Sequence, residues 1–144
     1  MKNEEMVVQV LMAFPLFMHK VFHDLRGEAE GHPLNRTQMK TLMIIHLENQ
    51  PHMTHVCHHM NMEKGSLTPV IDSLIEMGLV DRMRNREDRR KVNLSLTEKG
   101  NRLVIEHLNQ AHDHLLKKLE SLPEANVSRF KRAITDLYEI AQKL

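Results

Sequence analysis

The spacing of apolar residues changes several times along the chain, and each change predicts an element. Residues 6 to 25 are apolar nearly all round, through Val7, Val8, Val10, Leu11, Phe14, Phe17, Met18, Val21, Phe22 and Leu25. A helix apolar on every side must be buried on every side. In 144 residues one core covers only part of that surface, so a second copy is the expected cover. Pro15 is expected to kink this helix or divide its first turns from the rest. Gly27 to Pro33 breaks the pattern, and Arg36-Thr37 opens a second helix carrying Met39, Leu42, Met43 and His46, ending near Gln50-Pro51. Thr54 suits the N-cap of a short helix with Val56, Cys57 and Met60 on one face. Asn61 to Gly65 reads as a tight connection. Ser66 suits the cap of the next helix, whose stripe is Leu67, Val70, Ile71, Leu74 and Ile75, with Pro69 in its first turn and Gly78 as the left-handed residue that ends it.

From Leu79 the period becomes two. Leu79 to Arg84 and Lys91 to Leu96 bracket a polar loop, which predicts a β-hairpin. Thr97 caps a long helix with Val104, Leu108, Ala111, Leu115, Leu119 and Leu122 on one stripe. Ser121-Leu122-Pro123-Glu124 reads as the capping box of a last helix. There Val127, Phe130, Ile134, Leu137, Ala141 and Leu144 alternate steps of three and four, the 3.5-residue period of a seam that wants another helix. The fold class expected is mainly α with a small β-wing: a winged helix-turn-helix at residues 35–100, with dimerisation helices at 1–30 and 101–144, in one domain.

Composition adds few constraints. One Tyr, no Trp, four Phe and eleven Met make the apolar fraction aliphatic and thioether, which favours helices. A net charge of +1 argues neither for nor against nucleic acid, so distribution decides. Residues 82 to 91 hold six basic residues against two acidic, a local net of +4 on the hairpin. A second helix of this kind fits the DNA major groove, and a basic hairpin reaches the backbone or the neighbouring minor groove. The single cysteine and the flanks of residues 6–18, a run too short to span a bilayer, point to the cytoplasm. Only five glycines, without a phosphate-binding glycine motif, nucleophile elbow or H-E-x-x-H, argue against an enzyme.

The segments G-L-V-D-R and R-E-D-R-R-K-V-N-L-S-L-T-E-K-G, within residues 78 to 100, resemble the wing signature of the MarR family of regulators. The resemblance implies a DNA-binding regulator, usually a repressor, acting as a homodimer on a pseudo-palindromic double-stranded operator. It also implies that Asp88 orients Arg90 and that Arg90 probes the minor groove. Gly65-Ser66-Leu67-Thr68-Pro69 resembles the recognition-helix segment of the organic-peroxide-sensing branch, but the first helix lacks that branch's cysteine, and Cys57 reads as a buried structural thiol. The expected DNA-contacting residues are Thr54, Lys64, Ser66, Thr68, Pro69, Ser73, Arg84, Arg86, Asp88, Arg89, Arg90 and Lys91, with Asp72 a further candidate.

The family resemblance also implies a cleft for a small aromatic or other organic ligand, with Phe14, Met18, Met43, His46 and His107 as its candidate lining. Eleven histidines raise a second possibility. His19 and His23 are one turn apart, as are His55 and His59, and His107 and His114 are two turns apart. Two imidazoles at such spacing can meet one zinc ion, but a site needs a third ligand from elsewhere in space. No cofactor is required by this reading; a zinc-responsive regulator, with His19, His23, His107 and His114 as ligands, is the alternative. His52, His55, His58 and His59 lie near the DNA-binding helices. A winged-helix scaffold that binds protein is the alternative of another class, and its mark would be a wing without basic residues.

Overall fold

In the computed structural model, which describes residues 2–25, 28–29 and 32–143, the order is α1 (Lys2–Phe22), β1 (Glu28–Ala29), β2 (His32–Pro33), α2 (Arg36–Glu48), α3 (Met53–Met60), α4 (Lys64–Glu76), β3 (Val80–Arg84), β4 (Val92–Leu96), α5 (Glu98–Leu119) and α6 (Glu124–Ala141). Gly27 and Leu144 of the sequence pattern lie outside the described residues. The chain forms two compact units, one of residues 24–110 and one of residues 1–23 with 111–144. This division falls elsewhere than the expected lobe boundaries, because α5 belongs to both units.

In the 24–110 unit, α2, α3 and α4 pack on the β3–β4 hairpin. Leu42, Val56, Leu67, Ile71, Leu74, Leu79, Leu94 and Val104 are fully buried in its core, and Cys57 is buried beside them. The hairpin is antiparallel in the register Val80↔Leu96 to Arg84↔Val92. Its inner ends face the core through Val80 and Leu94, so the strands are anchored at the base and exposed toward the tip.

Local chemistry explains most boundaries and corrects three. The α2 N-terminus carries a full capping box: Asn35 Oδ1 accepts from Gln38 N at 2.8 Å, and Asn35 N donates to Gln38 Oε1 at 2.9 Å. Helix α3 starts one residue before Thr54, with His52 in the cap position, so Thr54 is helical. Helix α4 starts at Lys64 because Glu63 is already extended and its carbonyl accepts from Ser66 N and Leu67 N; Ser66 is therefore no cap, and Pro69 lies in the second turn. At the other end Gly78, at φ 70°, ends α4 as expected. Leu79 N bonds to Leu74 O and Gly78 N to Ile75 O, a Schellman closure. Ser121 Oγ donates back to Lys118 O, and Pro123 takes the cap position of α6, so the expected capping box does not form.

Thr97 caps α5 as expected, accepting from Gly100 N at 3.0 Å while its hydroxyl donates to Gly78 O at 2.7 Å. That joint draws the first turn of α5 against Leu79, and a Cβ on Gly100 would overlap the Leu79 carbonyl oxygen, which accepts from Thr97 N. Gly100→Ala should therefore destabilise the fold. Its helix-propensity gain of about 1 kcal/mol is outweighed by overpacking of about 1–3 kcal/mol and a strained hydrogen bond worth about 0.5–1.5 kcal/mol. Urea unfolding is expected to show a net loss of about 1–3 kcal/mol; a variant as stable as the parent would show that this joint opens freely.

In the other unit, α1 runs unbroken through Pro15. Phe17 lies 6.1 Å from Phe130 of α6, and Lys118 Nζ donates to Lys20 O. Much of α1 is bare: Met6, Val7, Val8, Val10 and Leu11 are all more than half exposed, and Met12 and Leu16 reach 78% and 75%. The α6 seam has no buried residue. The continuous helix also corrects the expectation that its apolar run is too short for a bilayer, since Glu5–Phe22 has the length and a mean hydropathy of 1.4. A helix that packs on a second copy meets the same criteria.

Candidate nucleic-acid interface

Three segments of the 24–110 unit converge on one cleft of about 460 Å³: the start of α3, the start of α4 and the end of the wing loop. Its lining brings together Thr54, Lys64, Arg90 and Lys91, four of the sequence-predicted contacts, and adds His52, His55 and His58. No side chain caps α4, so the positive end of that helix opens beside Lys64 and the exposed Ser66, an arrangement suited to phosphate. Thr68 Oγ1 donates to Lys64 O at 2.7 Å, which leaves the hydroxyl oxygen as an acceptor. Pro69 supplies no N–H to the Gly65 carbonyl one turn back, leaving that carbonyl without its usual helical donor.

The wing loop is built by two short side chains. Asn85 Oδ1 accepts from Glu87 N and Asp88 N, folding the chain at the tip. Asp88 Oδ1 then accepts from Arg90 N at 3.0 Å and Arg90 Nε at 3.4 Å. The arginine is thus held at its base by Asp88 while its side chain is 93% exposed. Arg84, Arg86, Arg89 and Lys91 are exposed around it.

Two residues of the recognition helix are engaged within the protein. Asp72 pairs with Arg82 at 2.7 Å, bracing α4 against β3, and that pair removes Arg82 from the wing's unpaired charge. Ser73 is half-buried and its Oγ accepts from Gln38 Nε2 at 3.0 Å, which turns it toward α2. Sequence reasoning missed a joint between α3 and the wing: Asn93 Oδ1 accepts from His52 Nδ1 at 2.6 Å and from Asn85 Nδ2 at 3.3 Å. Asn85 ahead of R-E-D is a turn signal legible in sequence; the His52–Asn93 contact is not.

The ligand and metal candidates are distributed differently. Phe14 and Met18 belong to the unit containing α1, and Met43, His46 and His107 to the other. His46 lines a second cleft, of about 450 Å³, with Ile45, Gln50, Ser95 and Asn101, and its Nδ1 donates to Asn101 Oδ1. His19 and His23 stack with centroids 5.6 Å apart. His114 Nε2 donates to the Val21 carbonyl at 2.8 Å, which commits that nitrogen. Among the described residues, the set of three potential metal ligands close enough for one ion includes none of His19, His23, His107 or His114.

His107 is half-buried, with a buried Nδ1 that has no hydrogen-bond partner among the described residues, and burial pushes its pKa below the usual 6.5. The unfolded chain then binds more protons than the folded one as pH falls through 6.5 toward the lower folded value. Stability from neutral His107 is complete above about 6.5 and lost below it. Denaturant titrations between pH 7.5 and 5 should show wild type losing more stability on acidification than His107→Gln. Parallel losses would sink this assignment.

Comparisons with known proteins agree with this geometry. The MarR family model matches residues 34–92, which contain α2, α3, α4 and most of the wing. The HTH-type transcriptional repressor YetL of Bacillus subtilis is 24% identical over 123 residues, covering 83% of this chain and 73% of its own. The fold is similar to Streptococcus pneumoniae FabT, solved in complex with DNA, at a TM-score of 0.66 and 21% identity over 99% of this chain and 97% of that one. It is also similar to the PcaV transcriptional regulator of Streptomyces coelicolor, solved with its natural ligand, at a TM-score of 0.58 and 17% identity over 92% and 91% of the two chains. Residues 34–92 thus match the MarR family model, and the chain is a winged helix-turn-helix transcription regulator with a DNA-binding helix-turn-helix.

Proposed function

We propose that the protein is a homodimeric, ligand-responsive repressor acting in the cytoplasm. Each protomer places α4 in the major groove of one half-site and Arg90 in the adjacent minor groove. The observation that carries this reading is the cleft where Thr54, Lys64, Arg90 and Lys91 meet beside the uncapped start of α4. FabT, of similar fold, supports DNA as the partner, and YetL supports repression. The bare apolar faces of α1 and α6 support a second copy as their cover. Half-site centres are then expected about 34 Å apart, one turn of DNA. PcaV, solved with its natural ligand, supports an effector, and the cleft beside His46 has a volume within the usual range for small molecules. The six basic residues of the wing disfavour the protein-binding scaffold.

The test is a mobility-shift titration against the chain's own upstream region at rising salt. If six to ten phosphates are neutralised, affinity falls about 10³- to 10⁵-fold between roughly 50 and 200 mM salt. Binding indifferent to both sequence and salt would remove the reading.

A further inference from the structure

Among the described residues, one side-chain cluster has the composition and geometry of a metal site. His55 and His59 are one turn apart on α3, and their Nε2 atoms converge to 2.9 Å. The third group is Glu48, the last residue of α2. Its Oε2 lies 3.4 Å from His55 Nε2 and its Oε1 lies 3.7 Å from His59 Nε2. Four-coordinate zinc with bonds of about 2.0–2.1 Å sets its ligand atoms about 3.3 Å apart. The three separations here bracket that value, so one ion can reach all three groups with only small side-chain movement.

The backbone explains how Glu48 arrives there. Asn49 and Gln50 adopt φ 47° and 64°, a left-handed corner that turns the chain sharply after α2. Pro51 is buried and its carbonyl accepts from Leu94 N, pinning the corner to β4. Glu48 is thereby held over the outer face of α3, while Val56, Cys57 and Met60 take the inner face into the core. The three ligand side chains are 42–50% exposed, so an ion can enter from solvent and water can complete its coordination.

We propose that Glu48, His55 and His59 bind a divalent first-row transition ion of the zinc type. Two imidazoles and one carboxylate fill three of the four positions that zinc favours, and imidazole nitrogen selects against magnesium and calcium. The ion ties the end of α2 to α3 and stabilises the folded state by mass action. His55 also lines the DNA cleft, so the ion sits at its edge. Metal binding itself does not depend on the DNA-binding reading.

The experiment is a titration of chelator-stripped full-length protein with cobalt(II) and zinc(II) alone, without DNA, followed by visible absorption, calorimetry and thermal unfolding. Wild type is expected to show a specific site with the visible spectrum of low-coordinate cobalt, displaced by zinc, and a zinc-dependent rise in Tm. His55→Ala and His59→Ala should each weaken that site by at least about 100-fold and Glu48→Gln by about 10-fold, while His19→Ala/His23→Ala leaves it intact. The partly exposed ligands make the variants' circular dichroism and metal-free melts a direct check of folding. Absence of the cobalt spectrum in wild type, or its persistence in a folded His55→Ala/His59→Ala double variant, overturns the assignment and leaves the cluster as a surface hydrogen-bonded group. An operator that binds no better than random DNA would count against the repressor reading and leave these metal results standing.

Discussion

Arg90→Ala is expected to weaken operator binding on the order of 10²- to 10⁴-fold at low salt while leaving the protein folded. A side chain reading a groove contributes about 1–3 kcal/mol, and a dimer loses two of them. The folded state has little to lose, since the side chain is 93% exposed and its ion pair with Asp88, at 3.4 Å, lies at the surface. The magnitude comes from preorganisation. Asp88 fixes the base of Arg90 through the backbone N and Nε, so the rest of the guanidinium is presented with less rotamer freedom to lose. Asp88→Ala should consequently produce a smaller loss in the same direction, because the charge remains and only its aim is gone. Salt titration separates this from a general charge effect: Arg90→Ala should lower the salt slope by about one per protomer. Operator affinity unchanged in Arg90→Ala would take the wing out of the mechanism.

The contrast between Asp88–Arg90 and the rest of the interface shows what was legible in the sequence. These two residues are neighbours on a tight loop, so their geometry follows from turn chemistry alone. The stripe of α4, its Gly78 end, the Thr97 cap and the period-two hairpin were legible for the same reason. Helix starts were less so where the cap is unusual. Glu63 and His52 cap by backbone conformation without a side-chain bond, so the more usual cap residues Ser66 and Thr54 drew the boundaries inward. Pro69 reinforced the first error, because proline is ordinarily found in a first turn.

Contacts between distant segments were not legible at all. Gln38 with Ser73, His52 with Asn93, Asp72 with Arg82 and Glu48 with His55 each depend on how α2, α3, α4 and the wing pack, and no local spacing encodes that. They also change the reading of single residues. Ser73 becomes a tie to α2, Asp72 neutralises one wing arginine, and the His55–His59 pair acquires its third ligand. The family resemblance identified the wing but carried no information on these pairings.

The largest effect is expected at α1. Met12 and Leu16 are one turn apart on the same face and are the most exposed of the large apolar side chains among the described residues, at 78% and 75%. If a second copy covers them, Met12→Glu/Leu16→Glu removes four apolar side chains from the interface and brings four carboxylates to it. Burial of each Met or Leu contributes up to about 1.5–3 kcal/mol, and charges without partners there add a further desolvation penalty. Even if half of the apolar term is lost to incomplete burial, dimerisation weakens by about 3–6 kcal/mol, on the order of 10²- to 10⁴-fold. Light scattering should then find the variant monomeric at micromolar concentrations where wild type is a dimer. Operator affinity should fall by a further 10²–10⁴, roughly the gain from linking two half-site contacts. Because both residues face solvent in the isolated chain, the fold of residues 24–110 should be retained, and circular dichroism will register any loss of helix. A variant that remains a dimer would place the interface elsewhere, with the α6 seam at Ile134 and Leu137 the next surface to substitute. A variant that is monomeric yet binds the full operator undiminished would mean that the two recognition helices act independently, and the spacing of about 34 Å would lose its physical basis.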